Sequence, residues 1–166
     1  SIRFSDIQLS AVYTSTLSRT IDTARIICGE IDPTVPICQR VELQEIDVGY
    51  WEGLSHKEVD RVYPGMRLKR QHNPGAIVPP GGENLSTAQR RVKRFIDALR
   101  AAHPDGGTLL IVSHQSIMGL MMAMILGCPP GLHRRFLMKP CGVAKIKIVD
   151  GSPAFEFYDD TLHEIL

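Results

Sequence analysis

The 166 residues are 43% hydrophobic and 22% charged, a balance typical of a soluble globular protein of about one domain. Nineteen basic and eighteen acidic residues leave a formal net charge of +1, so charge alone suggests neither a nucleic-acid nor a membrane partner. The four cysteines form no C-x-x-C pair, and the most apolar run, 117–126, is too short to span a bilayer. We therefore expect a cytoplasmic protein with a single domain over residues 1–166.

The first elements alternate between strand and helix. Residues 9–14 have the composition of a strand. Apolar residues at helical spacing predict a helix over 17–28, with Ser15 as its N-cap and Gly29 as its C-terminal stop. A connection over 32–42 is expected to end in a short strand.

The middle of the chain predicts a short helix followed by a long connection. Ser55 and Glu58 have the spacing of a capping box, and the helix that they begin should stop before Pro64. Residues 65–82 are rich in proline and glycine, which indicates a long loop or a loosely helical excursion. A basic cluster in this segment consists of Arg67, Lys69 and Arg70. We interpret it as a solvated loop, with a lid that selects anionic substrates as the alternative.

A long amphipathic helix over 84–102 comes next. Its basic residues are interpreted as a solvated face and are Arg90, Arg91, Lys93 and Arg94. Glu83, directly before the helix, is interpreted as a carboxylate favoured by the helix dipole, with a part in the active site as the alternative. A strand over 108–112 and a helix over 116–126 follow.

The order of these elements predicts an α/β fold. Alternating strands and helices favour a three-layer sandwich whose mainly parallel sheet is flanked by helices. The alternation of apolar and polar residues around Asp150 and Gly151 predicts a hairpin, which would form an antiparallel edge. Because the sequence has no nucleotide-binding glycine-rich loop and no metal-ligand cluster, we expect neither a cofactor nor a metal.

Polar residues coincide with two of the predicted strand ends. His114 follows the strand over 108–112 directly, and Ser15 and Arg19 follow the first strand. In a sheet of this kind, ligands bind beyond the carboxyl ends of the strands, where helix N-termini point N–H groups into a crevice. An imidazole, a guanidinium and helix amides together suit a dianionic phosphate. Taken singly, His114 could be satisfied locally and Arg19 could be exposed.

Four segments resemble, in order and spacing, successive signatures of the histidine phosphatase superfamily, also called the phosphoglycerate mutase-like family. The segments are YTSTLSRTIDTA (13–24), LQEIDVGYWEGL (43–54), PPGGENLSTAQRRV (79–92) and LLIVSHQSIMGLMM (109–122). The resemblance covers nearly the whole chain. It implies a phosphoglycerate mutase-like fold and phosphoryl transfer in two steps through a phosphohistidine.

The resemblance also implies roles for particular residues. Arg19 would clamp the phosphate, Glu45 would protonate the leaving alcohol, and His114 would be the second, charge-stabilising histidine. The backbone N–H of Gln115 would help to hold the phosphate. Most members have glycine at that position, whereas the fructose-2,6-bisphosphatase branch has histidine followed by glutamine, which favours a phosphatase over a mutase. The substrate stays open, because broad-specificity and α-ribazole phosphate phosphatases look similar across these motifs.

One defining motif of that superfamily, an Arg-His-Gly triplet carrying the nucleophilic histidine, does not occur in the 166 residues. The other histidines stand in contexts that do not follow a buried strand, and they are His56, His72, His103, His133 and His163. We therefore expect a truncated chain or a misassigned start, with the first strand missing or its place filled by another chain.

The predicted function is hydrolysis of a small phosphorylated metabolite through a phosphohistidine, with the chain inactive as it stands. Two alternatives remain open. A phosphoglycerate mutase would transfer the phosphoryl group between hydroxyls, and a catalytically dead relative would bind phosphate without turnover. A homodimer is also left open.

Overall fold

A computed structural model describes residues 7–161 of the chain. Its main sheet has three parallel strands, β1 (Ala11–Thr14), β2 (Ile37–Gln39) and β3 (Leu109–Val112), in the order β2-β1-β3. A separate antiparallel hairpin is formed by β4 (Val143–Val149) and β5 (Ser152–Asp160). The predicted α/β fold with a parallel sheet flanked by helices is confirmed.

The helices of the described residues lie between these strands. They are α1 (Ser18–Ile31), α2 (His56–Val62), α3 (Met66–His72), α4 (Leu85–Ala102) and α5 (Gln115–Ile125). Short 3-10 turns cover Val41–Leu43, Gly49–Trp51 and Pro130–Arg135. Across residues 7–161, none of the helices combines the length and apolar character required to cross a membrane.

The two faces of the sheet are covered by different helices. Successive residues of a strand point to opposite faces, so Val12 and Tyr13 of β1 enter different clusters. Val12 packs with Ala24 and Cys28 of α1. Tyr13 packs with buried residues of α4 and α5, among them Phe95 and Leu120. The result is the helix-sheet-helix layering expected from the order of elements.

Helix α1 differs from the prediction at both ends. It runs through Gly29 to Ile31, since an interior glycine costs only about 1 kcal/mol relative to alanine. It ends where Asp32, the residue before Pro33, takes up an extended conformation that proline favours in its predecessor. Its N-cap residue is Leu17, although Ser15 Oγ still accepts a hydrogen bond from the Leu17 N–H at 3.2 Å.

Other local predictions are confirmed. Ser55 and Glu58 form the reciprocal capping box at the start of α2. Asp150 and Gly151 both have positive φ, 50° and 75°, as a tight two-residue hairpin turn requires. The hairpin is not an edge of the main sheet within the described residues, where β3 pairs with β1 and β4 pairs with β5. The interpretation of His163 lies outside the described range.

Candidate active site

The carboxyl ends of β1 and β3 bring Arg19 and His114 together. Arg19 lies in the first turn of α1, and His114 is the N-cap residue of α5, with 8% of its surface exposed. Nη2 of Arg19 lies 3.1 Å from Nδ1 of His114. Because a guanidinium can only donate hydrogen bonds, Nδ1 is the acceptor and carries no proton in this arrangement.

Ser15 holds the opposite side of the same imidazole. Its Oγ lies 2.8 Å from Nε2 of His114 and 2.7 Å from Oγ1 of Thr20. With Nδ1 accepting from Arg19, the neutral ring carries its proton on Nε2 and donates it to Ser15. Thr20 in turn donates to the Leu17 carbonyl at 2.8 Å. We call Ser15, Arg19 and His114 the strand-end cradle.

The surroundings of His114 keep its imidazole neutral. Burial lowers its pKa below the usual 6.5, and the positive charge of Arg19 lowers the pKa further. The carboxylate of Glu45 acts in the opposite direction. At neutral pH, His114 is therefore uncharged, and its two hydrogen bonds fix its tautomer. Its protonation state can change when an anion binds beside it.

Glu45 reaches the same region from the loop after β2. Its Oε2 accepts a hydrogen bond from the Ser116 N–H in the first turn of α5 at 3.2 Å. Its Oε1 accepts from the Ile46 N–H at 2.8 Å. A carboxylate at a helix N-terminus is stabilised by the partial positive charge there. These bonds place the carboxyl group of Glu45, which can accept or donate a proton, beside His114.

Gln115 is the first residue of α5 and directly follows the cradle. Its backbone N–H therefore belongs to the first turn of the helix, where N–H groups have no partner within the helix. The side-chain amide donates to the Met138 carbonyl at 3.1 Å. This contact ties the start of α5 to the segment that precedes the hairpin.

The position of Glu45 depends on Arg91 of α4. Arg91 donates to the carbonyls of Glu42 at 2.6 Å and Glu45 at 3.2 Å. It also binds both carboxylate oxygens of Glu83, at 2.8 and 2.9 Å. Each of the two side chains of this ion pair is 13% exposed. The pair thus links the start of α4 to the loop that carries Glu45.

One interpretation from the sequence is therefore wrong, because Arg91 is not part of a solvated face. Glu83 does lie at the entry to α4, but its carboxylate is bound by Arg91, and the helix is capped by Asn84, whose side chain accepts from the Thr87 N–H at 2.7 Å. A signal for Arg91 was available in the sequence. It stands three residues after Ala88 and four before Phe95, which places it on the buried side of the helix.

Further basic residues come from α3 and from the 3-10 turn Pro130–Arg135. Arg70 of α3 is half-buried, with its guanidinium carbon 5.9 Å from the centre of the Trp51 ring. Arg134 donates to the Gln71 carbonyl at 3.3 Å. His133 is buried, and its Nδ1–H donates to the Pro130 carbonyl at 3.0 Å. Sequence reasoning missed Arg134 and His133, because they follow no strand and only the packing of the 3-10 turn against α5 buries His133.

An open cleft of about 500 Å³ is lined in part by Glu45. Its lining includes Gln44, Asp47, Glu83 and Arg91, and neither Arg19 nor His114 contributes to it. The carboxylates in this lining disfavour a phosphate. The strand ends offer cations and helix amides instead, so they are the favoured position for a phosphate.

The chain was compared with known proteins. The model of the histidine phosphatase superfamily (branch 1) matches residues 2–161. The 2,3-bisphosphoglycerate-dependent phosphoglycerate mutase of Cytophaga hutchinsonii is 36% identical over 112 residues, which are 66% of this chain and 53% of that protein. Phosphoserine phosphatase 1 of Hydrogenobacter thermophilus is 32% identical over 119 residues, 72% of this chain and 55% of that protein.

Among solved structures, Bacillus stearothermophilus YhfR superposes with a TM-score of 0.85 at 29% sequence identity. The match covers 96% of this chain and 78% of that one. The chain spans about half the length of the two curated relatives named above.

Proposed function

Because the chain belongs to the histidine phosphatase superfamily, we propose that the protein hydrolyses a small phosphate monoester through a phosphohistidine intermediate. The observation that carries this proposal is the direct contact between Arg19 and His114 at two strand ends, with Glu45 beside them. Such a group of side chains suits an anion whose ester oxygen must receive a proton when it leaves.

In the proposed reaction, each group of the site has one task. Arg19, His114 and the first amides of α5 bind the equatorial phosphate oxygens, on which negative charge accumulates in the transition state. The phosphorus–oxygen ester bond breaks as a phosphorus–nitrogen bond to a nucleophilic histidine forms. Glu45 gives its proton to the departing alkoxide and later takes one from the water that attacks the phosphohistidine.

The nucleophile is the one part that the described site does not assign. The Arg-His-Gly triplet implied by the resemblance does not occur in the 166 residues. The proposal therefore requires a nucleophilic histidine outside the described site. We expect the 166-residue chain by itself to bind inorganic phosphate without hydrolysing esters.

The test is an assay of the protein encoded by the complete reading frame. Release of inorganic phosphate would be measured on p-nitrophenyl phosphate and on a panel of metabolite esters. Arg19→Ala and His114→Ala are each expected to lower kcat/KM by about 10²- to 10⁴-fold. His56→Ala, an exposed position on α2, is the control and should stay within about twofold of the parent. Wild-type turnover in both cradle variants would contradict the proposal.

A phosphoglycerate mutase is the second candidate, favoured by the similarity to the Cytophaga hutchinsonii mutase. The two candidates differ in the acceptor of the phosphoryl group. Transfer from 2,3-bisphosphoglycerate to the hydroxyl of 3-phosphoglycerate would support a mutase, and transfer to water would support a phosphatase. Gln115 and the similarity to a phosphoserine phosphatase favour water as the acceptor.

A further inference from the structure

Thr20 is a buried hydroxyl residue in the first turn of α1, directly behind the strand-end cradle. Only 4% of its surface is exposed, and its Oγ1 lies 2.7 Å from Oγ of Ser15, which is completely buried. Thr23, on the same helix, shows the ordinary arrangement of a helical threonine. Its hydroxyl is exposed and donates to the Arg19 carbonyl at 2.8 Å. Thr20 differs because its hydroxyl is joined to the cradle.

Hydrogen bonds on both sides of the Ser15 and Thr20 hydroxyls fix the direction of their protons. Thr20 donates its proton to the Leu17 carbonyl at 2.8 Å, with the Ser15 carbonyl as a longer contact at 3.3 Å. Its Oγ1 is therefore the acceptor of the Ser15 proton. Since the proton of Ser15 is committed to Thr20, Ser15 Oγ accepts from the ring of His114, which carries its proton on Nε2.

The other side of the ring requires the same arrangement independently. Arg19 can only donate, so Nδ1 of His114 must offer a lone pair. Four hydrogen bonds thus point in one direction, and such a chain strengthens each of its members. In order, the chain joins Arg19, His114, Ser15, Thr20 and the Leu17 carbonyl. We call Ser15 and Thr20 the hydroxyl relay.

The tautomer of His114 matters because Nδ1 is the nitrogen on the side of Arg19, the proposed phosphate ligand. When an anion draws the Arg19 N–H groups to itself, Nδ1 is free to take up a proton and donate it to a phosphate oxygen. A ring with the opposite tautomer would present an N–H group to Arg19. Two donors cannot share a hydrogen bond, so the cradle would lose its contact between guanidinium and imidazole.

We infer that Thr20 is a positioning residue, which acts through Ser15 to keep the proton of His114 on Nε2 and leaves Nδ1 to meet the phosphate. The inference rests on the proposed phosphatase function and gives a role in it to a residue two hydrogen bonds away from the imidazole. Without the Thr20 hydroxyl, the Ser15 proton loses its acceptor and can turn toward the ring. It would then donate to Nε2 and favour the tautomer with the proton on Nδ1.

The first measurement is the tautomer itself, in the protein of the complete reading frame. Thr20→Val removes the hydroxyl and keeps the branched shape of the side chain. Nuclear magnetic resonance spectra that correlate the ring nitrogens of His114 with the ring protons distinguish the two tautomers. At neutral pH the parent should show the proton on Nε2. In Thr20→Val both ring nitrogens should shift toward the values of the other tautomer, and Thr20→Ser should restore the parent spectrum.

The second measurement is kcat/KM for the hydrolysis of glycerol phosphate. Thr20→Val is expected to lower it about 5- to 50-fold, which corresponds to the loss of one buried hydrogen bond. Thr23→Val removes the same group from an exposed position on the same helix and should stay within about twofold of the parent. Thr20→Ala gives the same test if the valine variant does not fold, because alanine has the highest helix propensity.

A double variant tests whether Thr20 acts through Ser15. In the Ser15→Ala protein the relay is already broken, so adding Thr20→Val should change kcat/KM by less than about twofold. Losses that multiply in the double variant would show that Thr20 acts by another route, and the inference would be wrong.

The tautomer and the kinetics separate the inference from the function on which it rests. An unchanged tautomer in Thr20→Val, with the parent hydrolysing esters, would overturn the inference and leave the phosphatase proposal standing. A changed tautomer with parental kcat/KM would also overturn it, since the position of the proton would then have no effect on the reaction. No hydrolysis of any ester by the parent would reject the phosphatase proposal, and the role of Thr20 in it.

Discussion

The strand-end cradle and the region around Arg70 and Arg134 are both basic, but the fold holds them in different ways. In the cradle, His114 has one partner on each ring nitrogen, and both lie within about one helical turn of a strand end. Arg70 lies on the short helix α3 against an aromatic ring, and Arg134 lies on a 3-10 turn and donates to a backbone carbonyl. The cradle is therefore held by side-chain hydrogen bonds at the strand ends, whereas Arg70 and Arg134 depend on how a helix and a distant turn pack together.

Arg19→Lys gives the largest expected effect and tests whether the cradle depends on geometry as well as charge. A lysine keeps the positive charge but loses the fork that can bind Nδ1 of His114 and phosphate oxygens together. We expect kcat/KM to fall about 100-fold or more on every ester. Steady-state kinetics on glycerol phosphate would measure it, and full activity of Arg19→Lys would show that charge alone is enough.

Glu83→Gln tests the carboxylate that binds Arg91 and so supports the loop that carries Glu45. Loss of this charge leaves Arg91 with an uncompensated positive charge in a nearly buried position, so we expect a loss of about 2 to 4 kcal/mol in the free energy of unfolding. The Glu45 loop should also lose its support, which would lower kcat. Asp97→Asn breaks an exposed pair with Lys93 on the same helix and should cost less than about 1 kcal/mol. Urea unfolding compares the two, and equal losses would contradict this assignment.

Ser15→Ala tests the other side of the imidazole in the cradle. The change removes the buried acceptor of the Nε2–H of His114, so the unfolding free energy should fall by about 1 to 3 kcal/mol. Ser15→Thr keeps the hydroxyl and serves as the conservative variant. If Ser15→Ala is as stable as the parent, the hydrogen bond to His114 contributes nothing to the fold.

The smallest expected effect concerns pH and involves His114 and His133 together. Both histidines have a folded-state pKa below the 6.5 of an ordinary histidine, so below about pH 6.5 the unfolded chain binds protons that the folded chain does not. Stability that is fully present above pH 6.5 should therefore decrease as the pH falls from that value toward the folded-state pKa values. Urea unfolding at pH 7.5 and 5.5 would measure the loss, and a folded protein more stable at pH 5.5 would contradict it.

Inorganic phosphate should sharpen the difference between these two histidines. An anion in the cradle draws on the N–H groups of Arg19 and adds negative charge beside His114, so the pKa of His114 should rise. His133 lies in the 3-10 turn Pro130–Arg135, beside Arg134, and its pKa should change less. Nuclear magnetic resonance titration of the imidazole carbons with and without phosphate would test this. A larger shift at His133 would place the phosphate beside the 3-10 turn instead.

Much of the fold could be predicted from local patterns in the sequence. The capping box at Ser55, the apolar stripe of α4 and the Asp150-Gly151 turn each encode a structure within a few residues, because capping, periodicity and positive φ depend on near neighbours. Arg19 and His114 could be paired from the sequence for a similar reason. The carboxyl ends of neighbouring parallel strands meet at one edge of a sheet.

The end of α1 was less predictable. Gly29 is a frequent stop signal, yet the packing of Ala24 and Cys28 against β1 keeps the helix continuous to Ile31. At Gly29, tertiary contacts outweigh the weak local preference of glycine for the end of a helix.

By itself, the sequence determined the alternating strand and helix order, the strand-end positions of Ser15, Arg19 and His114, and the resemblance to one superfamily. Only the tertiary structure decided that Arg91 is buried against Glu83 and that Arg70 and Arg134 come together from segments more than 60 residues apart. A charged side chain has the same local signature whether it faces water or a neighbouring loop. Its partner and its burial are set by how distant segments pack, and nearby residues do not encode that information.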